Sequence, residues 1–122
     1  MIKVLIADDQ ELIRQSLSIV LNTKEGIEVT DTVANGQEVI ASVRKNRPDV
    51  ILMDIMMPVM DGMELSRRVR SDFSISHIPF LMLTAKTSDE SRLESYKTGV
   101  DSYLLKPFDE NLLLARISNI LE

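Results

Sequence analysis

At 122 residues, with 44% apolar and 27% charged residues, the chain has the make-up of one compact domain with a core of its own. The lack of cysteine excludes disulfides and thiolate metal sites, and a net charge of −5 argues against the basic face that direct nucleic-acid binding needs. No apolar run is long enough to span a membrane and the first residues read as a strand rather than a signal peptide, so a cytoplasmic domain without membrane contact is expected.

Short apolar runs alternate with amphipathic stretches. A first strand is expected over residues 4–7, followed by a helix whose inner face carries Ile13, Leu17, Val20 and Leu21 at helical spacing. Gly26 sits where that helix should stop. A shorter, more polar run at 27–29 reads as an edge strand. Asn35, with Glu38 three residues on, predicts the N-terminus of the second helix. The run at 50–53 reads as a strand buried on both faces. Asp61 with Glu64 predicts the start of a third helix, residues 80–83 a fourth strand, and Thr87 with Glu90 a fourth helix stopping near Gly99. A fifth strand at 103–105 and a last helix carrying Leu113, Ile117, Ile120 and Leu121 complete the pattern. Strands that alternate with helices are joined by crossovers rather than hairpins, so an α/β fold with a doubly wound five-stranded parallel sheet is expected.

Ligand sites in such sheets form at the carboxyl ends of the strands. There the first strand ends in Asp8-Asp9, the third in Asp54, the fourth in Thr84-Ala85 and the fifth in Lys106-Pro107. Neighbouring carboxylates repel one another, and a hard divalent cation such as magnesium relieves that repulsion while leaving coordination positions for water and a phosphate oxygen. A lysine ammonium and a threonine hydroxyl can receive phosphoryl oxygens, and one carboxylate can act as nucleophile. Taken singly, each of these residues is more simply a cap, a strand end or a surface charge. Their joint placement at the carboxyl ends is what points to phosphoryl chemistry.

The motifs Ile6-Ala7-Asp8-Asp9, Asp49 through Pro58 with Asp61-Gly62, Leu83-Thr84-Ala85-Lys86 and Tyr103-Leu104-Leu105-Lys106-Pro107-Phe108 together resemble those of response-regulator receiver domains of two-component signal transduction, over essentially the whole chain. The resemblance implies a flavodoxin-like (βα)5 fold of strand order 2-1-3-4-5, with residues 1–122 forming a single receiver domain and no output domain. It implies a signalling switch rather than an enzyme acting on other substrates. Asp54 is then the phosphoacceptor, and Asp8, Asp9, Asp54 and the backbone carbonyl of Met56 hold Mg2+. Thr84 and Lys106 contact the phosphoryl group, Tyr103 changes rotamer with Thr84, and the Lys106-Pro107 peptide is cis. The implied phosphodonor is a histidine kinase, and the face that switches is formed by the fourth helix, fifth strand and fifth helix.

The resemblance also offers that face as a homodimer surface, since Asp101 and Arg116, which Arg92 and Glu110 could join, fall where some response regulators form ion pairs across such a dimer. The start of the first helix (Gln10, Glu11, Arg14 and Gln15) lies where such domains usually meet the kinase, although the residues themselves read as a solvated face. His77, the single histidine, reads as a loop residue, and the methionines at 53, 56, 57, 60 and 63 read mostly as packing. The segment through Arg70 is similar to receivers of regulators with LuxR-type outputs, whereas the text from Ser76 to Thr87 is more similar to receivers fused to hybrid sensor kinases.

Three rival readings are separable. An aspartate-nucleophile phosphatase needs an acid two residues after the nucleophile, where this chain has Met56. A flavodoxin-like cofactor binder needs a phosphate loop after the first strand, and none follows Ala7. A pure interaction module would fail to react with a small phosphodonor.

Overall fold

The computed structural model describes residues 1–54, 67–68, 71, 77–85, 102–106 and 109–121, with the side chains of residues 84, 85, 102, 103, 105 and 106 outside that set. The five strands are β1 (Ile2–Ala7), β2 (Ile27–Val33), β3 (Val50–Asp54), β4 (Phe80–Ala85) and β5 (Ser102–Lys106). They form one sheet of order β2-β1-β3-β4-β5, and every neighbouring pair is parallel. Three helices are described: α1 (Glu11–Asn22), α2 (Gly36–Lys45) and α3 (Glu110–Ile120). α3 is the fifth helix of the sequence pattern. The third and fourth, with the starts expected at Asp61 and Thr87 and the stop at Gly99, lie outside the described residues apart from helical backbone at Arg67, Arg68 and Ser71.

Side chains alternate across the pleat, and this sorts the core into two layers. Val4, Ile6, Val50, Leu52, Leu81, Leu83 and Leu104 face one side, where they meet Leu17 and Leu21 of α1 and Leu113 and Ile117 of α3. Leu5, Ala7, Ile51, Met53, Phe80 and Met82 face the other, where they meet Val39 and Val43 of α2. The three strands β1, β3 and β4 are thus buried from both sides, which is why their sequences read as unbroken apolar runs. Leu52 is fully buried, and Leu52→Ala is expected to cost about 2–5 kcal/mol of stability, read as a shift in the denaturant midpoint at constant slope.

The edge strand is longer than its sequence suggests, because it contains a bulge. Val4 is opposite Val29 while Leu5 is opposite Asp31, so Thr30 is an extra residue in β2. Its hydroxyl donates to the carbonyl of Val4 (3.4 Å). The extra residue reverses the alternation: Ile27 and Val29 pack in the layer of α1 and α3, whereas Val33 packs in the layer of α2.

The helix ends follow from side-chain chemistry. Asn35 caps α2 by accepting from the Glu38 amide (3.0 Å), and the Glu38 carboxylate accepts in return from the Ala34 amide (3.1 Å). Asp109 caps α3 in the same way through the Leu112 amide (2.7 Å). Gly26 is not the stop of α1, which ends at Asn22 with Thr23 as its cap. Instead Gly26, at φ +86°, forms the turn into β2 and accepts from the Ile2 amide (2.7 Å). Lys24, in the same turn, forms an ion pair with Glu110 at the start of α3. Both partners are substantially exposed, so the pair contributes little to stability.

Candidate functional site

The site is built from the ends of adjacent strands. Ala7, the last residue of β1, is opposite Met53, and Asp54, the last residue of β3, is opposite Leu83. The chain leaving β1 therefore emerges beside Asp54. The Asp8 amide still donates to the Val33 carbonyl (3.1 Å), so the sheet holds the backbone as far as the first aspartate. The carboxylates of Asp8, Asp9 and Asp54 converge, with one oxygen from each lying within 4.8 Å of the others. Asp8 is fully buried, Asp54 is 8% exposed, and Asp9 is exposed at the mouth. At such separations like charges repel by a few kcal/mol per pair at an effective dielectric of roughly 20.

The turn after β1 has its own bracing. One Asp8 carboxylate oxygen accepts from the Gln10 amide (2.9 Å), and the Arg14 guanidinium donates to the Asp8 carbonyl (2.7 Å). Gln10 is the N-cap residue of α1 but makes no capping bond with its side chain. Sequence reading placed Arg14 on a solvated helix face, whereas the structure leaves it only half-exposed and bonded to the turn. A signal was present in the sequence: Arg14 follows Gln10 by four residues, which returns it to the start of the helix. Gln10, Glu11 and Gln15 are exposed as expected. Beyond Arg14, an open cleft of about 340 Å3 between α1 and β2 is lined by Glu11, Arg14, Gln15, Ser18, Ile19 and Thr32. Ile19 leaves 66% of its surface exposed there.

Thr84 and Lys106 lie on the same rim by backbone register. Thr84 is opposite Leu105 and Lys106 is opposite Ala85, at the last rungs of β4 and β5. Tyr103 is opposite Met82, farther from the rim. The side chains of all three lie outside the described set, as do Met56, Pro107 with the expected cis peptide, Arg92 and Asp101. Of the remaining dimer candidates, Arg116 is exposed and Glu110 is already paired with Lys24 within the chain. His77 is exposed just before the amino end of β4, at the far end of the strand from the acidic cluster. Met53 is a core residue, and the other methionines of its group are outside the described residues. No described helix is long and apolar enough to cross a membrane.

The donor set is all oxygen, is half enclosed by the sheet and opens to water at Asp9. It fits a hard divalent cation and does not suit a soft metal. A parallel sheet with helices on both faces and a carboxylate cluster at its carboxyl rim makes this an open α/β protein with its candidate site at the strand ends.

Comparison with known proteins agrees. The model of the response regulator receiver domain matches residues 4–118. The response regulator protein VraR of Staphylococcus aureus is 42% identical over 105 residues, which cover 86% of this chain and 49% of that protein. Among solved structures, the chemotaxis response regulator CheY4 of Vibrio cholerae superposes with a TM-score of 0.87 at 41% identity, covering 99% of each chain. The receiver domain of a signal transduction histidine kinase from Syntrophus aciditrophicus superposes with a TM-score of 0.87 at 27% identity, covering 99% of this chain and 90% of that one. The chain belongs to the response regulator receiver domain family. The general function of that family is phosphorylation on an aspartate in two-component signalling. The chain spans about half the length of the curated relatives it matches.

Proposed function

We propose that Asp54 is the phosphoacceptor of this receiver, that Asp8, Asp9 and Asp54 hold Mg2+ together with the Met56 carbonyl, and that a histidine kinase phosphohistidine is the donor. The observation that carries this reading is the convergence of three carboxylates at the rim, two of them buried, with Asp54 at the end of a central strand. In the transfer, an Asp54 carboxylate oxygen attacks phosphorus in line, the new O–P bond forms, the P–N bond to the histidine breaks, and the imidazole leaves with that electron pair. The cation supplies charge neutralisation for the carboxylates and the phosphoryl oxygens. β3 fixes the nucleophile, and β1 fixes the turn carrying Asp8 and Asp9. Thr84 and Lys106, at the ends of β4 and β5, receive the remaining phosphoryl oxygens through a hydroxyl and an ammonium donor.

The transfer is catalysed by the receiver's own residues, and so is the later loss of the group to water. Phosphorylation replaces a carboxylate with a group of higher charge and more acceptor oxygens. Thr84 moves towards it, Tyr103 turns into the space vacated, and the face around β5 and α3 changes. This is a shift between pre-existing populations. The test is intact mass after incubation with acetyl phosphate and Mg2+, beside an Asp54→Asn control. One added phosphoryl group that requires both Mg2+ and Asp54 is expected. Unmodified wild-type protein would favour a purely interacting module.

Met56, two residues after the acceptor, offers no amide or acid to orient an attacking water. The aspartyl phosphate is therefore expected to outlast that of chemotaxis-type receivers. Decay of the phosphorylated mass at room temperature measures this, and loss within seconds would reject it.

A further inference from the structure

We infer that Arg14 is a positioning residue for the cation site, acting through the peptide that joins Asp8 to Asp9. This rests on the proposed function, since it concerns how the acidic cluster is held ready for Mg2+. The Arg14 guanidinium donates to the Asp8 carbonyl at 2.7 Å. That carbonyl belongs to the peptide plane whose other end is the Asp9 amide, so fixing the oxygen fixes the direction in which the Asp9 backbone departs. The Asp9 side chain is exposed. Its approach to Asp8 and Asp54 is therefore governed mainly by backbone placement rather than by packing.

The turn needs this restraint for a local reason. The N-cap position of α1 is Gln10, whose side chain makes no capping bond. A helix start without that bond is less firmly tied to the preceding turn. Two other bonds take over. The Gln10 amide holds the Asp8 carboxylate at 2.9 Å, and Arg14, whose own amide closes the first helical turn onto the Gln10 carbonyl (3.1 Å), reaches back to hold the Asp8 carbonyl. Arg14 thus links the first turn of α1 to the residue that leaves β1.

Charge and positioning predict opposite signs for the same substitution. A guanidinium beside the cluster repels an incoming cation, so if Arg14 acted only through its charge, its removal would tighten Mg2+ binding. If Arg14 acts by fixing the turn, its removal weakens binding despite the relieved repulsion. Groups that orient metal ligands without touching the metal typically affect affinity by about 10–100-fold.

The experiment is calorimetric titration of the whole chain with Mg2+, without phosphodonor, for the wild type, Arg14→Ala and Arg14→Lys, with thermal melts in EDTA to establish that each variant is folded. Arg14→Ala is expected to bind Mg2+ about tenfold more weakly. Arg14→Lys keeps a cationic donor and is expected to recover most of the affinity. Wild-type protein that binds Mg2+ beside a folded Arg14→Ala that binds equally or more tightly would overturn this inference alone. Arg14→Lys as weak as Arg14→Ala, both folded, would also overturn it. Wild-type protein that takes up no Mg2+ would remove the proposed function as well.

Discussion

Asp54→Asn is expected to abolish acceptance of a phosphoryl group, leaving the protein at its unmodified mass after incubation with acetyl phosphate and Mg2+. The amide has nearly the shape of the carboxylate it replaces, so it fits the same pocket, where Asp54 is 8% exposed. It carries neither the nucleophilic oxygen nor the negative charge, and losing a nucleophile of this kind lowers a rate by at least about a thousandfold. Fold loss is distinguishable. A cooperative thermal melt of the variant in EDTA establishes that it is folded. Modification that survives in a folded Asp54→Asn protein would place the acceptor elsewhere.

The second large effect is on stability. A folded chain that gathers three carboxylates within 4.8 Å is expected to bind a divalent cation far better than an unfolded chain does. Ligand at about a hundred times its dissociation constant stabilises the folded state by about 2.7 kcal/mol. For a domain of this size that corresponds to a rise in melting temperature of the order of 10 °C. Thermal melts in EDTA and in saturating Mg2+ measure it. Asp9→Asn, which removes the exposed ligand without disturbing the buried pair, should lose most of the rise. Equal melting temperatures in the two conditions would mean that the cluster holds no such ion.

Fold class was legible because β1, β3 and β4 are covered on both faces, and double coverage writes itself into the sequence as an unbroken apolar run, whereas the strand order came with the family resemblance. β2 was legible only in part. Its apolar residues at 27, 29 and 33 would share one face in a regular strand, and the bulge at Thr30 that splits them between two layers leaves no simple pattern. The three acidic residues of the site were legible from position alone, since a parallel sheet delivers the residues after its strands to one rim. The bracing was not. Asp109 as a cap depends on where α3 begins, and Arg14 depends on how the chain turns after Asp8; both are three-dimensional facts about backbone direction that residue spacing only hints at.

The bulged edge has a bearing on assembly. An outer strand offers unsatisfied amides and carbonyls to any passing chain, and a flat regular one invites the sheet to grow from molecule to molecule. Here the ladder is interrupted midway by Thr30, and Glu28 and Asp31, both exposed, put negative charge along the same strand. A second copy arriving edge to edge would meet a kinked template and its own repelling carboxylates. Joining through this border is therefore disfavoured, and the domain is protected on that side from the stacking that leads to fibrils.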